Sequence, residues 1–476
     1  MLRYLAKRLI YAVLVVFAVS LLAFFMSTIA PGDLVDAHLT LDGAQIAYKQ
    51  KSFSERTAEY TRSAERLGML VPQFYFSVQP ICFPDTLYRV VRKEERQILK
   101  QLLFRHGDWP LIELYRKQTL GFIRHLEPLR DDLSKPWAAQ VSSEIEFLLT
   151  TADTGRIHYL LQSISNLVPA DAFIISDQAQ HLITTYSAIQ NKRTGFWKLM
   201  PSFTWHGRRS QYHQWITKTL SGDLGRSLID GRPVKTKITE ALRWTLNVNI
   251  IAILLAFGIA IPLGVATARH AGDWTDKFIS SILFALYAMP SFWLAMLCIV
   301  FLTTSEYGTW LDLFPTGGVG SFTTSMSFWD RLGIRVSHLA LPVFCIMAGS
   351  LAYLTRQMRG SMLRELRQDY IRMARAKGLS EDAVHWKHAF RNALFPMITM
   401  VGSAFPAAIS GAVILEVIFS IPGMGRLMYM SILSRDWPVV YAMVLFAACL
   451  TIIGYLVSDL LYRWADPRVE LQTRMA

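Results

Sequence analysis

A chain of 476 residues with 52% hydrophobic and only 18% charged residues has the balance of a membrane protein rather than of a soluble enzyme. Its net charge of +13 does not indicate nucleic-acid binding, because no soluble basic face carries stacking aromatics; the excess is read as a topology signal. Cysteine implies no disulfide framework, since Cys298, Cys345 and Cys449 fall in apolar stretches and Cys82 stands alone.

In chain order, Leu9–Ile29 follows Arg3, Lys7 and Arg8 as a secretory signal does, but its apolar run is longer than a signal core and reads as a retained span. Residues 36–210 contain charges of both signs, scattered prolines and no run of span length, and are expected to form a mostly α-helical soluble insertion. Leu87, Val90, Val91, Ile98, Leu102 and Leu103 suggest one helical face, and Ile157, Leu160, Leu161, Ile164 and Val168 another. Pro110, Pro128, Pro136 and Pro169 are placed near helix boundaries. Gln211–Trp244 reads as a short amphipathic segment leading to the next span.

Five further apolar stretches follow, at Leu246–Ala268, Phe278–Thr303, Leu339–Tyr353, Leu394–Phe419 and Val439–Leu461. Each is about the length needed to cross ~30 Å of hydrocarbon, the third being short. With the first span they give about six transmembrane helices in an all-α membrane protein. Pro262, Pro290, Pro342 and Pro406 are expected to kink or end helices. The glycine run at 317–320 lacks the Lys-Ser/Thr of a phosphate loop and reads as a flexible turn.

Lys and Arg favour one side. With the N-terminus inside, the inner segments carry Arg3, Lys7, Arg8, Arg269, Lys277, Arg463, Arg468, Arg474 and the nine basic residues of 356–396. The short outer loops carry only Arg331, Arg335, Arg426 and Arg435, so both termini are expected in the cytoplasm. Within 356–396, Met362–Lys377 reads as one helix ended by Gly378, and Ser380 caps the next, whose first turn holds Glu381 and Asp382. Apolar Tyr370, Ile371, Ala374 and Leu379 are expected to enter a partner's groove with the arginines at its rim. A solvated basic loop drawn to anionic lipid is the plainer alternative. His385 and His388 read as surface residues rather than metal ligands. Glu416, charged within a span, either lines a pathway or lies at the outer interface beside Arg426.

The order DYIRMARAKGLS (369–380) then HAFRNALFP (388–396) resembles the EAA-type loop of permease subunits in ATP-binding-cassette (ABC) importers, best in the dipeptide/oligopeptide/nickel branch. APGD (30–33), GDLGRSL (222–228), PSFW (290–293), FSIPGMGRL (419–427) and DPR (466–468) agree in the same order, covering residues 1–35 and about 211–470. Arg372 stands where the general loop pattern has Glu, and Met373 where Ala is common, a departure frequent in the peptide branch.

The resemblance implies a first span in 1–35, an outer insertion at 36–210, a permease core of five spans at 211–470 with a coupling loop at 356–396, and a cytoplasmic tail at 471–476. The coupling loop, with Tyr370, Ile371, Ala374, Arg375, Gly378 and Leu379, would dock on an ATPase. Partners implied are a second, similar permease, two ABC ATPase subunits or domains and a periplasmic solute-binding protein, in a bacterial inner membrane. No GxxxxGK[ST] occurs, so the chain is expected to bind no nucleotide and to be no enzyme, ATP being used by the partner subunits. The insertion departs from the family; guiding the binding protein and stabilising the fold are both open readings. The rival class is a membrane-anchored sensor or scaffold whose outer domain binds a ligand.

Overall fold

A computed structural model of the chain describes residues 2–29, 35–36, 39 and 51–465, apart from 131, 133–134, 170, 324, 399, 402–407 and 409–410. The APGD and DPR motifs, Pro406 and the tail therefore lie outside the described residues. The chain divides into two compact units, Met1–Ala30 with Leu224–Ala476, and Pro31–Asp223.

The first unit begins with α1 (Leu2–Ile29), whose stretch Ile10–Ser27 is long and apolar enough to span a membrane. Tyr11, Leu14 and Phe17 are exposed on it, as lipid-facing side chains are, while Ala23 and Phe24 are buried.

The second unit is helical with one small sheet. Its first helix, α2 (Phe53–Arg66), starts at a reciprocal cap between Ser52 and Glu55. Strand β1 (Phe76–Pro80) precedes α3 (Lys93–His106), which ends at the left-handed Gly107. Then come α4 (Trp109–Arg130), α5 (Pro136–Leu148), α6 (Thr154–Leu167, capped by Asp153) and α7 (Phe173–Gln190). Strand β2 (Pro201–Trp205) pairs antiparallel with β1, Val78 opposite Phe203, and α8 (Gln211–Leu220) follows.

The core of this unit is formed by the inward stripes of α3 to α7, including Leu103, Ile112, Phe122, Ile145, Ile157, Leu182 and Ile189. The expected face at Ile157, Leu160, Leu161 and Ile164 is buried on α6. The other expected face is split instead: Leu87–Arg89 is a single 3₁₀ turn, and the helix begins only at Lys93. Pro128 lies inside α4 rather than at its boundary, near enough to the end to interrupt little.

The first unit resumes with α9 (Val234–Arg269), α10 (Trp274–Ala288) and α11 (Ser291–Leu302), the last two meeting at Pro290 with a bend of 99°. Proline there removes a donor and drives the preceding Met289 to extended geometry, so the expected span Phe278–Thr303 is broken. Pro262 and Pro342 sit inside unbroken helices, and α12 (Phe328–Glu365) extends the short expected span at both ends. After α13 (Asp369–Ala376) come a π-helical turn at Ala383–Ala389 and α14 (Phe390–Ala393). The expected span Leu394–Phe419 falls in part outside the described residues; its far end is α15 (Val413–Ile418). The amphipathic α16 (Met424–Leu433) and the apolar α17 (Trp437–Ala465) complete the unit, α17 packing on α1.

Among the described residues, α1, α9, α12 and α17 are each long and apolar enough to cross a membrane, with α10–α11 as a fifth if the bent pair counts as one. The centre of this unit is the α9–α12 crossing. Ala252, Ala256, Ala260, Gly264 and Ala268, spaced by four, are buried along one face of α9. A Cβ at Gly264 would lie 2.5 Å from the Cβ of Met358, so only glycine admits this approach.

Candidate functional site

Two polar constellations stand out in the first unit. The first is the loop. Instead of one helix over Met362–Lys377, the chain leaves α12 at Glu365, turns through 366–368 and re-enters a helix at Asp369. This offset directs the apolar stripe of α13 inward: Ile371 is fully buried and Ala374 nearly so, packed with Met358, Met362, Val384, Ala389 and Ala393. They anchor the loop to its own core and are not available to a partner. On α13 and the turn after it Tyr370, Met373 and Leu379 are exposed, as are Trp386 and Phe395 farther along the loop.

The rest of the loop is set by hydrogen bonds. The Tyr370 hydroxyl donates to Glu365 Oε2 at 2.6 Å and accepts from Asn392 Nδ2 at 3.0 Å, tying the start of α13 to both neighbouring helices. Burial, then the hydrogen bond to Glu365, raises its pKa above the ordinary phenol range. Gly378 has φ +77°, the left-handed turn that lets the chain reverse after α13, with open space around it. Across that turn Arg375 donates from Nε (2.9 Å) and Nη2 (3.2 Å) to the Glu381 carboxylate. These hydrogen bonds hold Glu381 below the usual carboxylate range against a smaller effect of desolvation. Arg269 at the end of α9 reaches Asp382 at 2.6 Å, and His385 is buried with its Nδ1 2.7 Å from the Glu381 carbonyl oxygen.

Sequence reading missed a further pairing near this end. Asp276 on α10 is buried and accepts from Arg359 on α12 through Nε (3.0 Å) and Nη2 (2.7 Å), and from the Gly272 N–H at 3.0 Å. Two parallel N–H bonds from one guanidinium fix orientation as well as distance.

The second constellation is centred on Glu416, which is 4% exposed. Thr245 on α9 donates from Oγ1 to Glu416 Oε1 at 2.9 Å, and the Arg426 N–H donates to Oε2 at 3.0 Å. The Thr245 hydroxyl in turn accepts from the Met424 N–H at 2.8 Å. Carboxylate and hydroxyl thus satisfy first-turn donors of α16, where negative charge is favoured. The Arg426 side chain points elsewhere, donating to the Ser420 carbonyl oxygen at 2.7 Å.

The glycines of FSIPGMGRL have a spatial reason: a Cβ at Gly423 would lie 2.5 Å from Glu416 Cδ, and one at Gly425 2.6 Å from Val413 Cα. The glycine run at 317–320 is not slack either, since Gly318 donates to the Phe419 carbonyl oxygen at 2.8 Å. Nearby, buried Asp436 accepts from Ser227 Oγ (2.5 Å) and the Leu228 N–H (2.9 Å), with Lys237 Nζ 3.5 Å away. This joins GDLGRSL to the start of α17. Composition alone gives no sign of partners so distant in the chain. A cleft of about 760 Å³ opens between α9 and α12, lined by Trp244, Asn247, Ile251, Leu339 and Phe344 among others.

Residues 260–471 match the model of the family described as binding-protein-dependent transport system inner membrane component. An oligopeptide transport system permease protein, AppB of Bacillus subtilis (strain 168), is 40% identical over 261 residues, 55% of this chain and 80% of the relative. This chain belongs to that family. It is therefore a multi-pass membrane permease subunit of an ABC importer, not an enzyme. The dipeptide transport system permease protein DppB of Alkalihalophilus pseudofirmus is 34% identical over 271 residues, 55% of this chain and 81% of its own. The peptidoglycan transport system permease protein YejB of Agrobacterium fabrum (strain C58 / ATCC 33970) is 33% identical over 254 residues, 53% of this chain and 69% of its own. The matched residues include the loop and, of the second constellation, Glu416, Met424 and Arg426 but not Thr245, and they exclude Pro31–Asp223.

Proposed function

We propose that this permease carries peptides across a bacterial inner membrane, paired with a second, similar permease chain and driven by two ATPase subunits that alone use ATP. The names of its relatives support the peptide class, with oligopeptide, dipeptide and peptidoglycan systems among them. In this reading both termini and residues 356–396 face the cytoplasm, and a periplasmic solute-binding protein delivers substrate to the other side. The insertion at 36–210 lies on that outer side, where it guides the binding protein; its self-contained helical core supports a module of its own.

The observation that carries the reading is the division of α13 into two faces. Ile371 and Ala374 lock the helix to the core that holds α9 and α12, while Tyr370 and Met373 on it and Leu379 in the turn that follows are presented outward. A partner that grips the outward face moves the inward face with it, and so moves the spans. The rigid α9–α12 crossing then transmits tilt to the cleft between those helices, which we assign to the pathway. Glu416 acts in this account as a clasp and not as a pathway group, because its carboxylate oxygens are turned onto Thr245 and the Arg426 N–H.

Purification of the full chain from its native membrane, with uptake of labelled dipeptide in a deletion strain, tests this. An ATPase subunit is expected to accompany the chain, and Gly378→Pro is expected to abolish uptake while the chain remains in the membrane. Absence of any ATPase, or unchanged uptake by Gly378→Pro, would sink the reading.

A further inference from the structure

One groove lies apart from the Glu416 clasp and shares only Leu283 and Ala352 with the core that anchors the loop. It measures about 530 Å³ and runs between α10 and the last third of α12. Its two ends differ in chemistry. Leu283, Phe284 and Tyr287 give it an apolar wall, whereas Ser281, Thr355 and Arg356 give it a polar end beside the Arg359–Asp276 pair.

Two of those polar groups have nothing to bind. Thr355 is 3% exposed and its hydroxyl has no hydrogen-bond partner among the described residues, an unfavourable state for a buried polar group. Arg356 is exposed and makes no hydrogen bond or ion pair to protein among the described residues, while its neighbour Arg359 is occupied by Asp276. One cation is therefore neutralised at the wall and one is left over. The groove runs along two elements long and apolar enough, as a span and a broken span, to lie in a membrane, and Arg356 and Arg359 both line it.

We propose that this groove binds one anionic phospholipid. Its phosphate is held by Arg356 with the hydroxyls of Thr355 and Ser281, and its acyl chain lies along Leu283, Phe284 and Tyr287. A free phosphate would leave the apolar wall unused, and a zwitterionic lipid would bring its own cation to a site that already has one in excess. An acyl chain suits the apolar wall by van der Waals packing, the contact that holds apolar surfaces together inside a bilayer. The site rests on geometry alone and does not depend on which partner grips the loop.

The test is native mass spectrometry of the full chain, with whatever subunits accompany it, titrated with phosphatidylglycerol and with phosphatidylcholine of matched chains. Phosphatidylglycerol is expected to bind more tightly, and Arg356→Gln to weaken it about fivefold, as removal of one cation near an anionic surface predicts. Phosphatidylcholine binding should not change in that variant. Thr355→Val should weaken the anionic lipid further, and Arg356→Lys should retain most of the affinity. Equal binding of the two lipids, or an unchanged phosphatidylglycerol affinity in Arg356→Gln, would overturn the proposal. So would full displacement by millimolar inorganic phosphate, the mark of a free-anion site. Loss of an accompanying subunit from Arg356→Gln at unchanged lipid affinity would assign the groove to a protein partner instead.

Discussion

The two polar constellations of the permease core are fastened by opposite means. At the loop, the attachment is mainly apolar: Ile371 and Ala374 fill a pocket rich in methionines and alanines, and the Arg375–Glu381 ion pair across the turn is exposed. At Glu416 the attachment is polar and buried, with carboxylate, hydroxyl and helix N–H groups closing on one another between tightly packed glycines. Apolar contacts are non-directional and tolerate sliding, while a buried hydrogen-bond network has one good geometry. The loop is thus built as a handle that can shift with a partner, and the Glu416 clasp as a fixed hinge point around which the spans can tilt.

The sharpest way to break this contrast is Glu416→Ala. It strips the Arg426 N–H and the Thr245 hydroxyl of their acceptor, and a loss of about 3 kcal/mol with a clear fall in melting temperature is expected. A melting temperature within error of the parent would mean the clasp holds nothing. Next is Gly264→Leu, which forces α9 away from Met358 at the crossing and should destabilise by about 1–3 kcal/mol, read by denaturation in detergent.

At the loop the two faces should separate. Ile371→Ala is expected to lose about 2 kcal/mol of local stability, seen as faster amide exchange over 366–393. Met373→Ala should leave exchange unchanged yet lower transport-coupled ATP hydrolysis. If Met373→Ala altered exchange and Ile371→Ala did not, the assignment of faces would be reversed.

The smallest effect belongs to Glu381→Gln, whose carboxylate is fully exposed, so no resolvable change in melting is expected at neutral pH. Because its pKa is lowered, its contribution is full above the ordinary carboxylate range and is lost as the pH falls through the lowered value. Acid titration of the loop should show the Arg375 pair intact until the pH falls below that range, and lost as it falls further.

Much of this was legible in the sequence, and for identifiable reasons. Long apolar runs announced α1, α9, α12 and α17, although α12 was underestimated because backbone hydrogen bonding continues through the charged residues near its ends, Asp330 and Arg331 at one and Arg364 and Glu365 at the other. The loop motif gave Gly378 and its neighbours but not the break before Asp369, since Arg364–Gln368 contains no helix breaker. The stripe Ala252–Ala256–Ala260–Gly264–Ala268 carried a readable signal, small residues every fourth position, that hydropathy alone conceals. The Thr245–Glu416 and Ser227–Asp436 contacts join residues far apart in the chain, as does the β1–β2 pairing, and no local pattern specifies them.

The most direct test of the handle is cysteine cross-linking on a background in which Cys82, Cys298, Cys345 and Cys449 are replaced by serine. Single cysteines at positions 370, 371, 373, 374 and 379 would be treated in membranes with a short thiol-to-amine cross-linker. The account predicts adducts to an ATPase subunit from 370, 373 and 379 and none from 371 and 374. Adducts from 371 and 374, or from none of the five, would contradict it.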